Sequence, residues 1–479
     1  IGVRLVGSEM CIRDRNMINV RRLTVMTFLG AGMLSGISAQ VSPLQVDTLK
    51  ETKIPAQWDL QSCIDYAKEQ NITIRKNRIT AASTQIDVKT AKAALFPSLS
   101  FSTSQQVVNR PYQETSSRVS GSEIISSNSK TSYNGNYGLN ASWTLYNGNK
   151  RLKTIQQEKL NNQVAELDVA TSENNIQESI AQVYIQILYA AESVKVNEST
   201  LQVSIAQRDR GQELLNAGSI AKSDFAQLEA QVSTDRYQLV TAQATLEDYK
   251  LQLKQLLELD GENEMNIYLP ALSDENVLAP LPTKKDVYIS ALSLRPEIEA
   301  SKLNVEASEL GIGIAKSSYL PTISLSAGIG TNHTSGSDFT FGEQVKNGWN
   351  NSIGLSVSVP IFNNRQTKSA VQKAKLQYET SMLSLLDEQK TLYKTIEGLW
   401  LDANSAQQRY AAANEKLKST QISYELISEQ FNLGMKNTIE LLTEKNNLLQ
   451  AQQEQLQAKY MAILNTQLLK FYQGDQLAI

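Results

Sequence analysis

Two very long stretches of the chain contain no proline and few glycines. Residues 149–215 and 364–431 would each form a helix of about 100 Å at ~1.5 Å per residue. A helix on an ordinary core would be roughly 8 to 20 residues long, with a wider apolar stripe. The seam of the second stretch is Leu392, Ile396, Leu399, Ala403, Ala406, Tyr410, Ala413, Leu417, Thr420, Tyr424, Ile427 and Phe431. This heptad spacing is typical of coiled coils with left-handed supercoiling, and such rods do not fold into a compact globule.

The chain contains two copies of one plan. AKAALFPSLSFS at 91–102 matches AKSSYLPTISLS at 315–326. Each copy reads helix, proline, strand, polar loop, strand, very long helix, glycine turn and helix, and this repeat governs how single motifs are interpreted. Pro97 and Pro321 are predicted to mark the boundary from helix to strand, because proline ends a helix without needing a backbone N–H.

After these prolines the period of the apolar pattern changes to two. A soluble, half-buried sheet would show the same alternation. Three observations favour a membrane: the strands exceed the ~9 to 11 residues that cross a bilayer, their polar faces carry uncharged Ser, Asn, Thr and Gly, and aromatic residues could lie at the interfaces. The apolar positions of two strands are Tyr133, Tyr137, Leu139, Ala141, Trp143 and Leu145, and Ile353, Leu355, Val357, Val359 and Ile361.

A sheet in a membrane must close, because open edges leave backbone groups without partners in lipid. Four strands cannot form a wide closed barrel alone. The sequence therefore predicts an oligomer in which each chain contributes four strands to a shared barrel. The Ser-rich segment 111–131 and the segment 332–348 are predicted to be loops outside the barrel.

The N-terminal region carries targeting signals. From Met17, a short basic part, an apolar run over residues 23–37 and small residues describe a secretory signal peptide, with cleavage expected after Ala39. Residues 1–16 are interpreted as a non-native leader. The exported chain then keeps Cys63 as its single thiol, which excludes an intrachain disulfide.

Composition and motifs argue against several functions. A formal net charge of -3 gives no indication of a nucleic-acid partner. The one histidine, His333, lies in a predicted loop, and no metal spacing, phosphate loop or nucleophile elbow occurs, so we expect neither an enzyme nor a cofactor or metal. An exported coiled-coil scaffold without a channel is the alternative, although it leaves four alternating strands unexplained.

The duplicated plan, with ALFPSLS, RPEIEASKLNVEASELGIGIAKSSYLPTISLSAGIG and FNLGMKNTIELL, resembles the TolC-like outer membrane efflux family, the outer membrane factors, from Trp58 to Gly474. The resemblance implies a mostly α fold with β: long coiled-coil helices form a periplasmic α-barrel, and four transmembrane strands per chain join a shared trimeric β-barrel. It also implies a passive conduit in tripartite efflux or type I secretion. The implied partners are a homotrimer, a periplasmic adaptor (membrane fusion) protein, an inner-membrane pump of RND or ABC type, and outer-membrane lipid.

The resemblance also assigns roles to the two glycine turns, which would be the periplasmic tips of the helices. A turn after a helix commonly needs a residue in the left-handed conformation, which suits glycine. The residues implied to contact the adaptor are Gly218 and Ser219 in one turn and Gly434 and Met435 in the other.

Four further residues near these turns are implied to form the periplasmic gate. Asp224 and Glu440 each lie six positions after a turn glycine, where family members carry acids that ring the narrow end of the tunnel. Helix-dipole stabilisation by first-turn acids is the alternative. Phe431 and Lys436 occupy positions where some members have tyrosine and arginine, so the gate contacts must differ. Glu444 lies one residue away from the position where the family has a second acidic residue.

The domain boundaries follow from the repeat. Residues 40–57 are an N-terminal linker, 258–283 an equatorial linker, 58–257 the first repeat and 284–474 the second. The predicted elements are strands 97–109, 133–146, 321–331 and 349–361, long helices 149–215 and 364–431, and return helices 222–256 and 437–471.

Overall fold

The structure is a computed structural model that describes residues 55–112, 116–120, 123–127, 130–260, 265–270 and 277–477. The predicted leader and signal peptide lie outside the described residues, as does most of the predicted N-terminal linker. The described residues belong to one unit, Pro55–Ile479. None of the described helices combines the length and the apolar composition needed to cross a membrane.

The first copy begins with two helices where the sequence predicts one. Asn71 separates them, and its Oδ1 accepts hydrogen bonds from the N–H groups of Thr73 at 2.9 Å and Ile74 at 3.4 Å, which caps the second helix. A short hairpin lies in the segment 111–131, which the sequence assigns to a loop. The elements are α1 (Leu60–Gln70), α2 (Ile72–Ala93), β1 (Ser98–Asn109), β2 (Ser116–Ser120), β3 (Glu123–Ser127), β4 (Thr131–Asn147), α3 (Lys150–Asn216) and α4 (Lys222–Leu256).

The second copy is also interrupted before its strand. The first helix ends before Arg295, and Pro296 starts the next, a position that tolerates a missing N–H. A short helix capped by Thr340 and Glu343 lies in the segment 332–348, where the sequence predicts a loop. The elements are α5 (Lys284–Leu294), α6 (Pro296–Ser317), β5 (Thr322–Thr334), α7 (Phe341–Asn347), β6 (Asn350–Ser358), α8 (Gln366–Asn432) and α9 (Thr438–Gln473).

The four long strands form one antiparallel sheet in the order β1-β4-β5-β6. The central pairing, β4 with β5, joins the two copies of the repeat. One row across the sheet is polar and consists of Ser100, Asn140, Gly328 and Ser352. The adjacent row points to the opposite face and consists of Leu99, Ala141, Ala327 and Ile353. The sheet thus has a face of hydroxyls and amides and an apolar face, and β1 and β6 each keep one edge unpaired within the chain.

The helices continue the order of the strands to which they are joined. Near the sheet, the packing order is α2-α3-α6-α8, and neighbouring helices run in opposite directions. Toward the glycine turns the order is α4-α3-α9-α8, with α4 and α9 in place of α2 and α6. Asn71 Nδ2 donates to the Leu256 carbonyl at 3.0 Å, where the start of α2 meets the end of α4. The predicted fold class, long coiled helices with four strands per chain, is confirmed.

The junction from helix to strand has the same local structure in both copies. Pro97 and Pro321 each stand immediately before a strand, after a short turn that follows the helix. In the first copy the turn is also held by side chains from the neighbouring strand and helix: Trp143 Nε1 donates to the Leu95 carbonyl at 2.7 Å. Arg151 donates to the Ala94 carbonyl at 2.5 Å.

The return from strand to helix also repeats. Gly148 and Asn149 have φ values of 67° and 63°, and the matching Asn364 and Arg365 have 50° and 66°. A Cβ on Gly148 would lie 2.7 Å from the Ser317 carbonyl oxygen, so this position needs glycine for space as well as for backbone conformation.

The apolar core lies at the middle of the long helices. Its main cluster joins α1 to α3, α4, α8 and α9, and includes Trp58, Cys63, Ile180, Tyr184, Leu253, Tyr410 and Leu464. A second cluster joins α5 and α6 to α8 and α9, and includes Val287, Ile298, Leu392, Ile396 and Leu469. Much of the α8 seam is thus buried within the chain.

Candidate functional site

The helix tips are formed by two turns of the same type. Gly218 and Gly434 have φ values of 72° and 76°. The N–H groups of the next residues, Ser219 and Met435, each donate at 2.8 Å to a carbonyl in the last turn of the preceding helix, as in a Schellman motif. A Cβ on either glycine would meet no atom within 4 Å, so backbone conformation and not space favours glycine.

The two predicted gate acids lie in the first turns of α4 and α9. Asp224 Oδ2 accepts from the Ala221 N–H at 3.3 Å, and Glu440 Oε2 accepts from the Asn437 N–H at 3.2 Å. Lys436 Nζ donates to Glu440 Oε1 at 2.8 Å. The Lys436 ammonium and the Asn437 N–H hold the pKa of the Glu440 carboxyl below its usual range. Both acids therefore cap helices, the alternative noted from the sequence, and both stay partly exposed.

Phe431 and Glu444 both make contacts within the α8/α9 tip. Phe431 is 3% exposed, and Thr438 and Leu441 are buried at the same tip. Glu444 accepts from Ser423 Oγ at 3.1 Å, a contact within the α8/α9 hairpin. Phe431 therefore packs in the interior of the tip within one chain.

The turn between α8 and α9 exposes large apolar side chains. Met435, which the family resemblance implies as an adaptor contact, is 64% exposed. Leu433 and Ile439, which are not among the predicted adaptor contacts, are 71% and 61% exposed. Three exposed apolar side chains, two in the turn and Ile439 at the start of α9, form a surface suited to contact with another protein.

A buried ion pair lies above the tips, and the sequence reasoning missed it. Lys445 Nζ on α9 donates to Asp235 Oδ2 on α4 and to Ser204 Oγ on α3, and Ser204 Oγ donates to the same carboxylate oxygen. The side chains of Lys445 and Asp235 are only 3% and 1% exposed. Burial lowers the pKa of the Lys445 ammonium, and Asp235 opposes that change. The one sequence signal is Asp235 itself, a carboxylate that continues the heptad spacing of the buried residues Leu228 and Val232 on α4.

Two weaker polar contacts lie at the same level. Gln207 Nε2 on α3 donates to Tyr424 OH on α8 at 2.9 Å, and Gln231 Nε2 on α4 donates to Asn446 Oδ1 on α9 at 3.4 Å. Gln231 Nε2 also donates to Asp235 Oδ1 at 2.9 Å. These contacts form a polar belt around the four helices, which consists of Ser204, Gln207, Gln231, Asp235, Tyr424, Lys445 and Asn446.

The described part of the chain offers no site for metal or thiol chemistry. Within it, no group of three or more His, Cys, Asp or Glu side chains could hold a metal ion. Cys63 is fully buried, and burial raises the pKa of its thiol to about 12, which keeps it protonated and unreactive.

Comparison with known proteins gives a consistent result. The sequence profile described as "Outer membrane efflux protein" matches residues 63–258 and 287–474. The outer membrane efflux protein BepC of Brucella suis is 24% identical over 294 residues, which cover 61% of this chain and 61% of BepC. The outer membrane protein TolC of Escherichia coli is 23% identical over 311 residues, 63% of this chain and 62% of TolC. The chain thus matches about three fifths of the length of these relatives.

A solved structure shows the same fold. The CmeC outer membrane channel of Campylobacter jejuni superposes with a TM-score of 0.71 at 17% identity, and the match covers 91% of this chain and 92% of CmeC.

Proposed function

Because the chain belongs to the outer membrane efflux protein family, we propose that it forms the outer-membrane channel of a tripartite efflux or type I secretion system. The observation that carries the proposal is the common order of strands and helices. In both β1-β4-β5-β6 and α4-α3-α9-α8, neighbours alternate in direction. The last element of one chain can therefore pair antiparallel with the first element of a neighbouring chain. Several chains can therefore close into one barrel and keep the antiparallel pairing throughout.

The outer helices of the chain expose apolar residues that could contact a second chain. Exposed apolar residues follow heptad-like spacings on the outer helices, which predicts further coiled-coil contacts between copies. The exposed residues are Ile72, Ile79 and Ile86 on α2, Tyr237, Val240 and Leu251 on α4, and Leu376, Leu383, Ile422 and Leu426 on α8. We propose that three copies associate, so that apolar rows of the sheet face lipid and polar rows line the passage.

The tips are the proposed gate and adaptor site. In a threefold assembly, Asp224 and Glu440 with Lys436 would form rings of charge at the narrow end, which would favour cations. The exposed apolar turn around Gly434 and Met435, with Gly218 and Ser219 in the other turn, would bind a periplasmic adaptor that connects to an inner-membrane pump. The proposed activity is passive transport, and no residue is assigned a catalytic role.

Extraction and mass measurement test this assembly. We expect the protein in the outer-membrane fraction, released by mild detergent and not by salt, with a protein mass of three copies. A salt-soluble elongated monomer would overturn the proposal and favour an exported scaffold.

A further inference from the structure

A groove with a volume of about 540 Å³ runs between α8 and α9 along their hairpin. Small-molecule sites in proteins measure roughly 300 to 1,000 Å³. The floor of the groove consists of Ala406, Ala413 and Ala458, which are 6%, 9% and 8% exposed. Covering this floor removes apolar surface from water, which favours a ligand with an apolar body.

Two polar side chains in the groove have no partner within the described part of the chain. Asn465 on α9 is only 6% exposed, yet its side-chain amide makes no hydrogen bond there. A buried amide without a partner costs free energy, which a ligand that hydrogen-bonds to it would recover. The guanidinium of Arg409 on α8 likewise has neither a hydrogen bond nor an ion pair among the described residues.

The charges of the groove favour an anion at Arg409. Lys416 Nζ lies 2.7 Å from Glu454 Oε2, so these two charges offset each other. Asp402 lies one heptad before Arg409, about 10 Å away along α8, at the end of the groove. Arg409 is thus the unpaired charge in the middle of the groove, and a planar guanidinium binds the oxygens of an organic acid through paired hydrogen bonds.

The groove lies on the side of α9 that the proposed gate uses. Glu454 and Met461 follow Glu440 by two and three heptads, so in a coiled coil they lie on the same side of the helix. If Glu440 lines the passage, the groove opens into it. Ile422, proposed to contact another chain, lies about 140° around α8 from Arg409, so that association leaves this side of α8 free.

We propose that this groove is a binding site, on the wall of the passage, for amphiphilic organic anions: small molecules with one acidic group and an apolar body. The acid pairs with Arg409, the body lies over the alanine floor, and Asn465 hydrogen-bonds to a polar group of the ligand. The inference rests on the proposed channel function, and it names a class of molecule that such a channel would carry. The acidic tip does not oppose it, because the groove begins about 20 Å from Glu440 along α9, more than two Debye lengths at physiological salt.

The test is binding of anilinonaphthalene sulfonate, a fluorescent anionic amphiphile, to purified oligomer in lipid nanodiscs, with the signal of empty nanodiscs subtracted. Phenylnaphthylamine has the same apolar body without the sulfonate and is the matched neutral probe. We expect saturable binding of the anion to the parent. Arg409→Gln should weaken it about tenfold, because a charge-assisted hydrogen bond is lost, and leave binding of the neutral probe unchanged. Ala412→Leu, at an exposed position of the groove wall, should weaken both probes because it fills the groove.

The control is Lys418→Gln, which removes an exposed cation nine residues after Arg409, on the opposite side of α8. It should bind both probes as the parent does. An equal loss of anion affinity in Lys418→Gln and Arg409→Gln would reveal only a general attraction to positive charge and would overturn the site. Tighter binding of a cationic dye, crystal violet, that is lost in Asp402→Asn would overturn the preference for anions.

Current through the oligomer in planar bilayers separates the site from the channel. In a conducting parent, anilinonaphthalene sulfonate should reduce the current at the concentrations at which it binds, and Arg409→Gln should need about tenfold more. A conducting parent whose current the bound anion leaves unchanged overturns the placement of the groove on the passage. An oligomer that binds the anion through Arg409 but never conducts overturns the channel and leaves the binding site.

Discussion

Arg295 shows how one residue can hold several elements together. Its side chain is 7% exposed and pairs with Glu178 on α3 at 2.9 Å and with Glu297 on α6 at 2.8 Å. Its guanidinium also lies 4.1 Å from the centre of the Tyr472 ring on α9. Burial raises the pKa of the Glu178 carboxyl, and the Arg295 guanidinium opposes this change. This cation thus balances the charge of two partly buried carboxylates.

Removing this cation should destabilise the chain in a pH-dependent way. Arg295→Met is expected to lose about 3 kcal/mol of unfolding free energy at neutral pH, the low end for a buried pair, because it leaves two partly buried carboxylates without their cation. Glu178, whose folded-state pKa is raised, binds a proton more tightly in the folded chain, so the loss should shrink as pH falls toward ~4.3. Denaturant unfolding of the purified oligomer at several pH values measures this.

A matched control comes from the exposed pair Lys302–Glu299, 3.1 Å apart with side chains about half exposed. Lys302→Met should cost only ~0–1 kcal/mol. An equal loss in both variants at all pH values would contradict the role assigned to Arg295.

At the scale of elements, the junction between helix and strand is built differently in the two copies. The prolines match, but only the first copy places Trp143 and Arg151 on the turn carbonyls. The matching positions in the second copy are Val359 and Thr367, which lack an indole N–H and a guanidinium. The first junction should therefore depend on these donors more than on its proline.

The junction is tested by comparing Arg151→Met with Pro97→Ala. Arg151→Met removes the side-chain donor from the Ala94 carbonyl of the turn and from the Thr144 carbonyl of β4, so less of the protein should assemble into detergent-resistant oligomer. Pro97→Ala adds an N–H before the strand but keeps the turn contacts, and it should assemble nearly as the parent. If Pro97→Ala assembles worse than Arg151→Met, the proline and not the arginine enforces the boundary.

The two faces of β6 can be distinguished with neighbouring residues. Leu355 is 64% exposed on the apolar face, and Ser356 follows it on the polar face. Leu355→Arg should cost ~2–4 kcal/mol near the bilayer midplane and reduce the amount of assembled protein in the outer membrane. Ser356→Arg places the charge in the wet passage and should assemble as the parent. Equal loss in both variants would contradict the assignment of faces.

At the scale of the whole molecule, most of the architecture could be predicted from the sequence because it repeats a simple pattern. The seam of α8 and the change of period after Pro97 and Pro321 are local signals, and they indicate rods joined to strands. The break at Asn71 was missed because a capping asparagine inside an apolar pattern looks like an ordinary helix residue. Lys445 pairs with a residue 210 positions away, and no local pattern reveals such a contact.

The local roles of the proposed gate residues follow from their places on the helices. Asp224 and Glu440 have the caps expected of first-turn acids, so their spacing alone does not distinguish a cap from a ring. Phe431 lies at the end of the α8 seam, and that seam position, more than the comparison with tyrosine at the gate, accounts for its burial.

Conductance of the purified oligomer in planar bilayers shows whether the protein is a channel. We expect discrete channels that prefer cations, and a weaker cation preference after Asp224→Asn combined with Glu440→Gln, because the proposed rings lose their charge. An assembled, membrane-extracted oligomer that gives no conductance, either as the parent or with both tip acids neutralised, would contradict the account.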